Sequence, residues 1–246
     1  MSQKYRKPPI VEVVCEFRFI PSEPWDLTVP GLVYDRLKEE FPIRRPVMRT
    51  VEKTDASQPQ GIKKSMRVEQ WTQFLRTDER ALVQIGPDTL AVNHLAPYPT
   101  WEEFEPVIHR CFDAFLSVAK PNGLARIGLR YINRIEIPGK EISLNEYLSF
   151  LPQFEAEPPG SVEALVAGMQ FIFDNARDKL KLQLVSAEVS VPETAAFVLD
   201  IDYFLAKPGE IDIQHAFDWV RDAHERIETV FESCIKDSLR SLFEVA

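Results

Sequence analysis

The strongest constraint on the fold is an alternating pattern near the start of the chain, in which apolar residues recur at every second position and charged residues lie between them. Between residues 10 and 20 every odd position is apolar, whereas Glu12, Glu16 and Arg18 occupy even positions. Successive side chains of a strand point to opposite faces, so the pattern predicts a β-strand with one buried face and one exposed face. Such a strand needs partner strands and a covering layer to be stable.

Segments with helical spacing separate this strand from others further along the chain. The sequence predicts a helix from Thr28 to about Glu40, a second from Thr100 that opens with a capping box and ends before Pro121, a short helix at 143–151 and a long one at 212–243. The predicted strands lie at 10–20, 46–51, 65–76, 80–85, 90–95, 125–137, 169–173, 179–187 and 196–205. The polar stretch 54–64 is predicted to be a flexible loop.

The order strand, helix, several strands, long helix therefore occurs twice. We predict an α+β protein of two pseudo-repeated halves, residues 1–121 and 122–246, forming one compact body. Each half is expected to be an antiparallel sheet with a short and a long helix on one face. The two long strands, 10–20 and 125–137, are expected to meet at the centre of a joint sheet.

Composition and charge narrow the class of protein. With 45% apolar and 27% charged residues the chain has the composition of a folded globular protein. The net charge of -9 disfavours binding to nucleic acid through the overall field, although a local basic patch stays possible. The sequence shows no leader-like or membrane-spanning run, so we expect a cytoplasmic protein without membrane contact. Its cysteines, Cys15, Cys111 and Cys234, are odd in number and widely spaced, which predicts free buried thiols.

Three arginines recur on one face of the second long strand. Arg126, Arg130 and Arg134 would form a row of guanidinium groups able to grip phosphates or carboxylates. The alternative is that they pair with acidic residues on neighbouring strands, for which Glu12 and Glu16 have the right sign and spacing. Because the protein is acidic overall, the sequence favours pairing over anion binding.

An aspartate pair is the candidate for metal chemistry. Asp200 and Asp202 share one face of a predicted strand, an arrangement that can hold a divalent ion. An acidic strand face opposing Arg130 explains the pair equally well. The four histidines have no zinc-site spacing, and the glycines form neither a phosphate loop nor a nucleophile elbow. The sequence therefore predicts no catalytic residue and no cofactor.

Aromatic residues of the first half are a further candidate binding surface. Trp71, Tyr98 and Trp101 could form a platform for a nucleic-acid base or a peptide. A hydrophobic core and its rim predict the same residues, and the sequence favours packing.

Four segments resemble those of an uncharacterised, sporadically distributed bacterial protein family of similar length. They are Lys7 to Val14 (KPPIVEVV), Asn93 to Leu95 with Tyr98 and residues 101–104 (WEEF), Leu129 to Ile135 (LRYINRI), and Leu199 to Asp202 (LDID). The resemblance spans nearly the whole chain, but it implies no activity, cofactor or catalytic residue. Its sporadic distribution suggests a mobile-element or defence context.

The sequence leaves three functions open. The favoured one is a non-enzymatic binding or adaptor protein that engages another macromolecule. The alternatives are a nucleic-acid or nucleotide binder that uses the arginine strand, and a metal-dependent enzyme centred on the aspartate pair.

Apolar residues persist to the end of the last predicted helix at Ile235, Leu239, Leu242 and Phe243. That end needs cover from the N-terminal half or from a second copy, and we expect a homodimer.

Overall fold

The computed structural model describes residues 4–55, 63–139, 142–152, 155, 163–189 and 192–245. Its strands are β1 (Ile10–Ile20), β2 (Ile43–Asp55), β3 (Lys63–Leu75), β4 (Ala81–Gly86), β5 (Thr89–Leu95), β6 (Gly123–Pro138), β7 (Val166–Phe173), β8 (Asp178–Ser186) and β9 (Thr194–Leu205). Its α-helices are α1 (Val29–Leu37), α2 (Trp101–Ala119), α3 (Ala216–Cys234) and α4 (Asp237–Leu242). Single turns of 3-10 helix lie at Leu144–Glu146, Asp174–Ala176 and Ile213–His215.

The described strands form one sheet of nine in the order β2-β3-β4-β5-β1-β6-β9-β8-β7. The prediction of two pseudo-repeated halves, each with its own sheet and helices, is wrong, because one large antiparallel sheet takes their place. The physical reason is that β1 and β6 hydrogen-bond to each other, so the ladder continues instead of ending at two exposed edges. The expectation that the two long strands meet at the centre is confirmed.

The chain divides into two compact units whose segments interleave along the sequence. Unit 1 contains Met1–Cys15, Leu95–Pro99 and Arg126–Ala246, and unit 2 contains Glu16–His94 and Thr100–Ala125. The division of the chain into residues 1–121 and 122–246 stays a prediction. No helix in the described ranges is both long and apolar enough to cross a membrane.

Unit 2 buries the inward face of its strands against two helices. The ring of Phe19 stacks on Phe115 of α2 at 4.7 Å, and Phe17 packs on Phe112 at 4.6 Å. The predicted capping box of α2 is confirmed: the Thr100 hydroxyl accepts from the Glu103 backbone N–H, and the Glu103 carboxylate accepts from the Thr100 N–H. The sequence predicted a loop at 54–64, but β2 continues to Asp55 and β3 begins at Lys63. Residues 56–62 of that predicted loop lie outside the described ranges.

Unit 1 buries α3 against β9, where the rings of Trp219 and Tyr203 lie 5.4 Å apart. The long helix predicted at 212–243 is not continuous, since the backbone is extended at Ile235 and resumes as α4. The reason is a competing pairing: Ile235 bridges to Leu148, and the Lys236 N–H donates to the Tyr147 carbonyl at 2.8 Å. The same pairing limits the helix predicted at 143–151 to a single turn.

The apolar end of α4 is covered by the start of the same chain. Tyr5 bridges to Val245, its ring packs edge-on to Phe243 at 5.6 Å, and the Lys7 N–H donates to the Phe243 carbonyl at 2.9 Å. Ile235, Leu239 and Phe243 are buried as a result. The cover that the sequence required is thus provided within unit 1.

The three cysteines are free and buried, as the sequence predicted. Burial raises the pKa of the Cys234 thiol to about 11 and that of Cys111 further. Both groups are therefore held as neutral thiols, which are poor nucleophiles.

Candidate functional site

The arginine strand is β6, and its central arginine makes a bidentate hydrogen bond. The guanidinium of Arg130 donates from Nε to Asp200 Oδ1 at 2.7 Å and from a terminal nitrogen to Oδ2 at 2.6 Å. Antiparallel pairing of β6 with β9 places these residues on one face of the sheet. This bidentate bond is the main cause of the raised pKa of Arg130, with smaller contributions from Asp202 and Glu12.

The outer two arginines of the row also bind groups of unit 1. Arg126 lies 3.4 Å from Asp202 and stacks over the ring of Phe204 at 4.8 Å. Arg134 donates to the Glu136 carboxylate at 3.0 Å and to the Glu188 carbonyl at 2.7 Å. Arg126 and Arg130 thus pair with aspartates of β9, and Arg134 pairs with Glu136 of its own strand. Anion binding by the row stays a prediction.

The predicted pairing of the row with Glu12 and Glu16 of β1 stays a prediction. Glu16 holds Arg18 of its own strand at 2.8 Å. Glu12 is the last and smallest of the causes that raise the Arg130 pKa.

The same geometry constrains the aspartate pair. Both oxygens of Asp200 accept hydrogen bonds from Arg130, so a cation would have to displace a guanidinium before it could bind there. Among the described residues, no group of three or more histidine, cysteine or acidic side chains is arranged to hold a metal ion. Asp200 and Asp202 thus lie within ion-pair distance of Arg130 and Arg126, respectively.

The three aromatic candidates have different packing partners. Trp71 of β3 lies against Gly86 of β4 so closely that a Cβ at position 86 would be 2.2 Å from the indole. The Arg49 guanidinium covers the indole at 4.2 Å, in a cation–π contact. Trp101 begins α2, with its ring 6.5 Å from that of Phe104. These contacts make Trp71 and Trp101 parts of the packing of unit 2.

Tyr98 belongs to a chain of polar groups that the sequence did not reveal. Its hydroxyl lies 3.2 Å from that of Tyr131, which shares a hydrogen bond with His224 Nδ1 at 3.0 Å. The other ring nitrogen of His224 lies 3.3 Å from Glu228. Burial, followed by the neighbouring Tyr98, raises the pKa of Tyr131 well above its ordinary value. These hydrogen-bonded side chains keep the buried phenol of Tyr131 protonated, and they link β6 to α3.

A second polar cluster surrounds Asp178, whose side chain is completely buried at the start of β8. Its carboxylate accepts hydrogen bonds from Trp219 Nε1 at 3.0 Å, the Tyr203 hydroxyl at 3.1 Å and the Arg177 guanidinium at 2.6 Å. Arg226 also donates to the Tyr203 hydroxyl, at 2.8 Å. The cluster joins β8, β9 and α3 next to the turn that follows β7 and holds a charge that burial alone would disfavour.

The end of the sheet at β7 is the most unusual surface among the described residues. β7 pairs with β8 and is the last strand in the sheet order. Its large apolar side chains are exposed: Val166 by 73%, Ile172 by 64%, Met169 by 50% and Phe171 by 38%. The strand has no charged residue and no proline, the usual protections of an exposed edge. The sequence located a strand here but gave no signal that it would lie at an edge.

Comparison with protein-family models, curated proteins and solved structures found no match.

Proposed function

We propose that this chain is a non-enzymatic, cytoplasmic protein-binding or adaptor protein, and that its binding surface is the β7 edge. The observation that carries the proposal is the exposure of Val166, Met169 and Ile172 on a terminal strand without charges. Isolated exposed apolar residues are ordinary on protein surfaces, but several on one edge strand mark an interaction site.

The chemistry of an edge strand defines the kind of partner. Its outward backbone N–H and C=O groups can hydrogen-bond to an added strand, which supplies affinity without regard to sequence. Side chains that alternate between the two faces then supply specificity. In β7 both faces offer apolar contacts, with Val166 and Ile172 on one and Met169 and Phe171 on the other. An extended, apolar protein segment fits this surface.

A capture experiment with matched variants tests the proposal. Tagged wild-type protein, a double variant with Val166→Lys and Ile172→Lys, and the control Met48→Lys would each be used to recover partners from cells that express the chain. Met48 is 66% exposed on β2, at the other end of the sheet order. We expect captured proteins to be lost with the double variant and retained with the control. Each captured protein would then be purified and its direct binding measured.

Equal capture by all three proteins, each with an unchanged melting temperature, would show that β7 is not the binding surface. The resemblance noted above suggests that a partner belongs to a mobile-element or defence system, and the neighbouring genes would name candidates for the direct binding measurement.

The nucleic-acid alternative has weaker support, because an anion would compete with the carboxylates that already hold Arg126 and Arg130. Replacing Arg130 with Ala distinguishes the two functions. Pairing predicts a loss of about 1–2 kcal/mol in the free energy of unfolding, since Asp200 loses a charged partner. An unchanged stability, together with loss of a salt-sensitive affinity for oligonucleotides, would instead favour the nucleic-acid function.

A further inference from the structure

We infer that the partner at the β7 edge is a second copy of this chain, paired strand to strand in antiparallel fashion about a two-fold axis at Met169. The inference rests on the proposed binding surface and adds the identity of the partner. It follows from the order of side-chain sizes along β7, in the sequence VAGMQFIF.

An antiparallel pair centred on Met169 matches every position from 166 to 172 with a suitable mate. Residues directly opposite each other share a face and pack together. Val166 would face Ile172, Ala167 would face Phe171, Gly168 would face Gln170, and Met169 would face its own copy. Two of these pairs set a small side chain against a large one, and the two most exposed large apolar residues of β7 cover each other.

Neighbouring registers lack this complementarity. A two-fold axis at Gln170 would set Ile172 against Gly168 and leave Val166 opposite Asp174. An axis at Gly168 would set Val166 against Gln170 and leave Ile172 opposite Ala164. Only the register centred on Met169 pairs both highly exposed side chains, Val166 and Ile172, with apolar mates.

The two-fold pairing also explains how an unprotected edge avoids uncontrolled growth. An isologous contact uses the same edge of both copies, so no second β7 edge is left over. The strand at the other end of the sheet order, β2, contains Arg44, Arg45, Pro46 and Arg49, which disfavour strand addition. The assembly therefore ends at two copies.

Site-directed disulfide formation tests the register. In the full chain with Met169→Cys, the two Cα atoms across the axis would be about 4.5–5.5 Å apart, within reach of a disulfide. The native thiols are at most 3% exposed and do not compete. With oxidised glutathione as the electron acceptor, we expect a covalent dimer on a non-reducing gel that a reductant converts back to monomer.

The matched control is Ile172→Cys, because Ile172 is at least as exposed as Met169. Across the proposed axis its two copies would be six residues apart along the strands, about 20 Å, which no disulfide spans. Random collisions would cross-link both variants equally, whereas the proposed register cross-links only Met169→Cys. Light scattering over a concentration series should also show that Ile172→Lys weakens association of the otherwise native chain at least tenfold, while Met48→Lys does not.

The outcomes separate this inference from the proposed function. A monomeric mass at every concentration, or equal cross-linking of both cysteine variants, would overturn the two-fold pairing. If the lysine variants of β7 nevertheless lose another captured protein, the binding surface stands and its partner is a different chain. If cross-linking is specific to Met169→Cys but capture is unaffected, β7 is a dimer interface and the proposed adaptor function is wrong.

Discussion

The two terminal strands of the sheet expose opposite kinds of surface. β2 carries Arg44, Arg45, Arg49 and a proline, so a foreign strand that approached it would meet charges and a missing N–H donor. β7 presents only apolar side chains, a glycine and a glutamine. Both strands are terminal in the same sheet, so the fold alone does not determine whether an edge is apolar or charged. One edge is protected against pairing and the other is suited to it.

The side chains that anchor the two edges differ in their burial. Beside β7, the anchor is the completely buried carboxylate of Asp178 with its ring of donors. Beside β2, the anchor is partly exposed: Arg49 stacks on Trp71 and donates to the Gln84 side chain. We therefore expect the stability of the β7 side to depend on one buried charge and the stability of the β2 side to depend on several weaker contacts.

The largest effect should come from Asp178→Ala. It would leave the indole N–H of Trp219, the Tyr203 hydroxyl and the Arg177 guanidinium without their shared acceptor, and we expect a loss of about 3–5 kcal/mol in the free energy of unfolding. Asp178→Asn keeps the shape and one acceptor, so its loss should be smaller. Urea denaturation measures both, and hydrogen exchange should show faster opening of β7 and β8 than of β2 and β3. A loss below 1 kcal/mol in Asp178→Ala would mean that the cluster does not anchor this edge.

A smaller effect is expected on the β2 side from Gly86→Ala. The new methyl group would overlap the Trp71 indole, which must move from beneath Arg49, and we expect a loss of about 1–3 kcal/mol. Gly31→Ala is the control, because nothing lies within 4 Å of its new Cβ in α1. There we expect a gain of up to about 1 kcal/mol from the better helix propensity of alanine. Similar melting temperatures for the two variants would contradict the close packing of Trp71.

Local patterns of the sequence predicted much of the fold, because they depend on neighbouring residues. Alternation located β1, and the Thr100 and Glu103 pair located the start of α2. The break at Ile235 could not be predicted, since the helical stripe continues through it and the competing partner, Leu148, is distant in the sequence. The meeting of β1 and β6 at the centre of one sheet was expected from the order of the elements, but no local pattern specifies the order of the outer strands.

The candidate site was predictable only in part for the same reason. The spacing of Arg126, Arg130 and Arg134 placed them on one face, and an acidic strand face was expected opposite Arg130, where Asp200 lies. The cluster around Asp178 and the hydrogen-bonded side chains around His224 join residues from separate elements, so no sequence motif predicts them. The edge position of β7 is likewise a property of the complete strand order.

The finest test of the contrast between the edges uses pH. Glu40 accepts a bidentate hydrogen bond from Arg110 at 3.0 and 3.1 Å and another from Arg76, which follows β3. Burial by itself raises the pKa of Glu40, but the hydrogen bonds from Arg110 and Arg76 and their charges outweigh it, so the pKa is lowered overall. A lowered pKa in the folded state stabilises the protein above the ordinary glutamate value and ceases to do so as the pH falls through the folded value.

We therefore expect Glu40→Gln to lower the free energy of unfolding by about 1 kcal/mol at neutral pH, because the carboxylate is partly exposed and its ion pairs are screened. The difference from wild type should shrink as the pH falls through the ordinary glutamate value and then the lowered one, since protonation removes the same charge from the wild type. Glu79→Gln is the matched control: Glu79 pairs with Arg45 of β2 but is about half exposed, so its effect should be smaller at every pH. Denaturation curves across this range measure both. If the difference in the free energy of unfolding between wild type and Glu40→Gln stayed constant at acidic pH, Glu40 would act through packing alone. The charges around Glu40 would then not stabilise the β2 side.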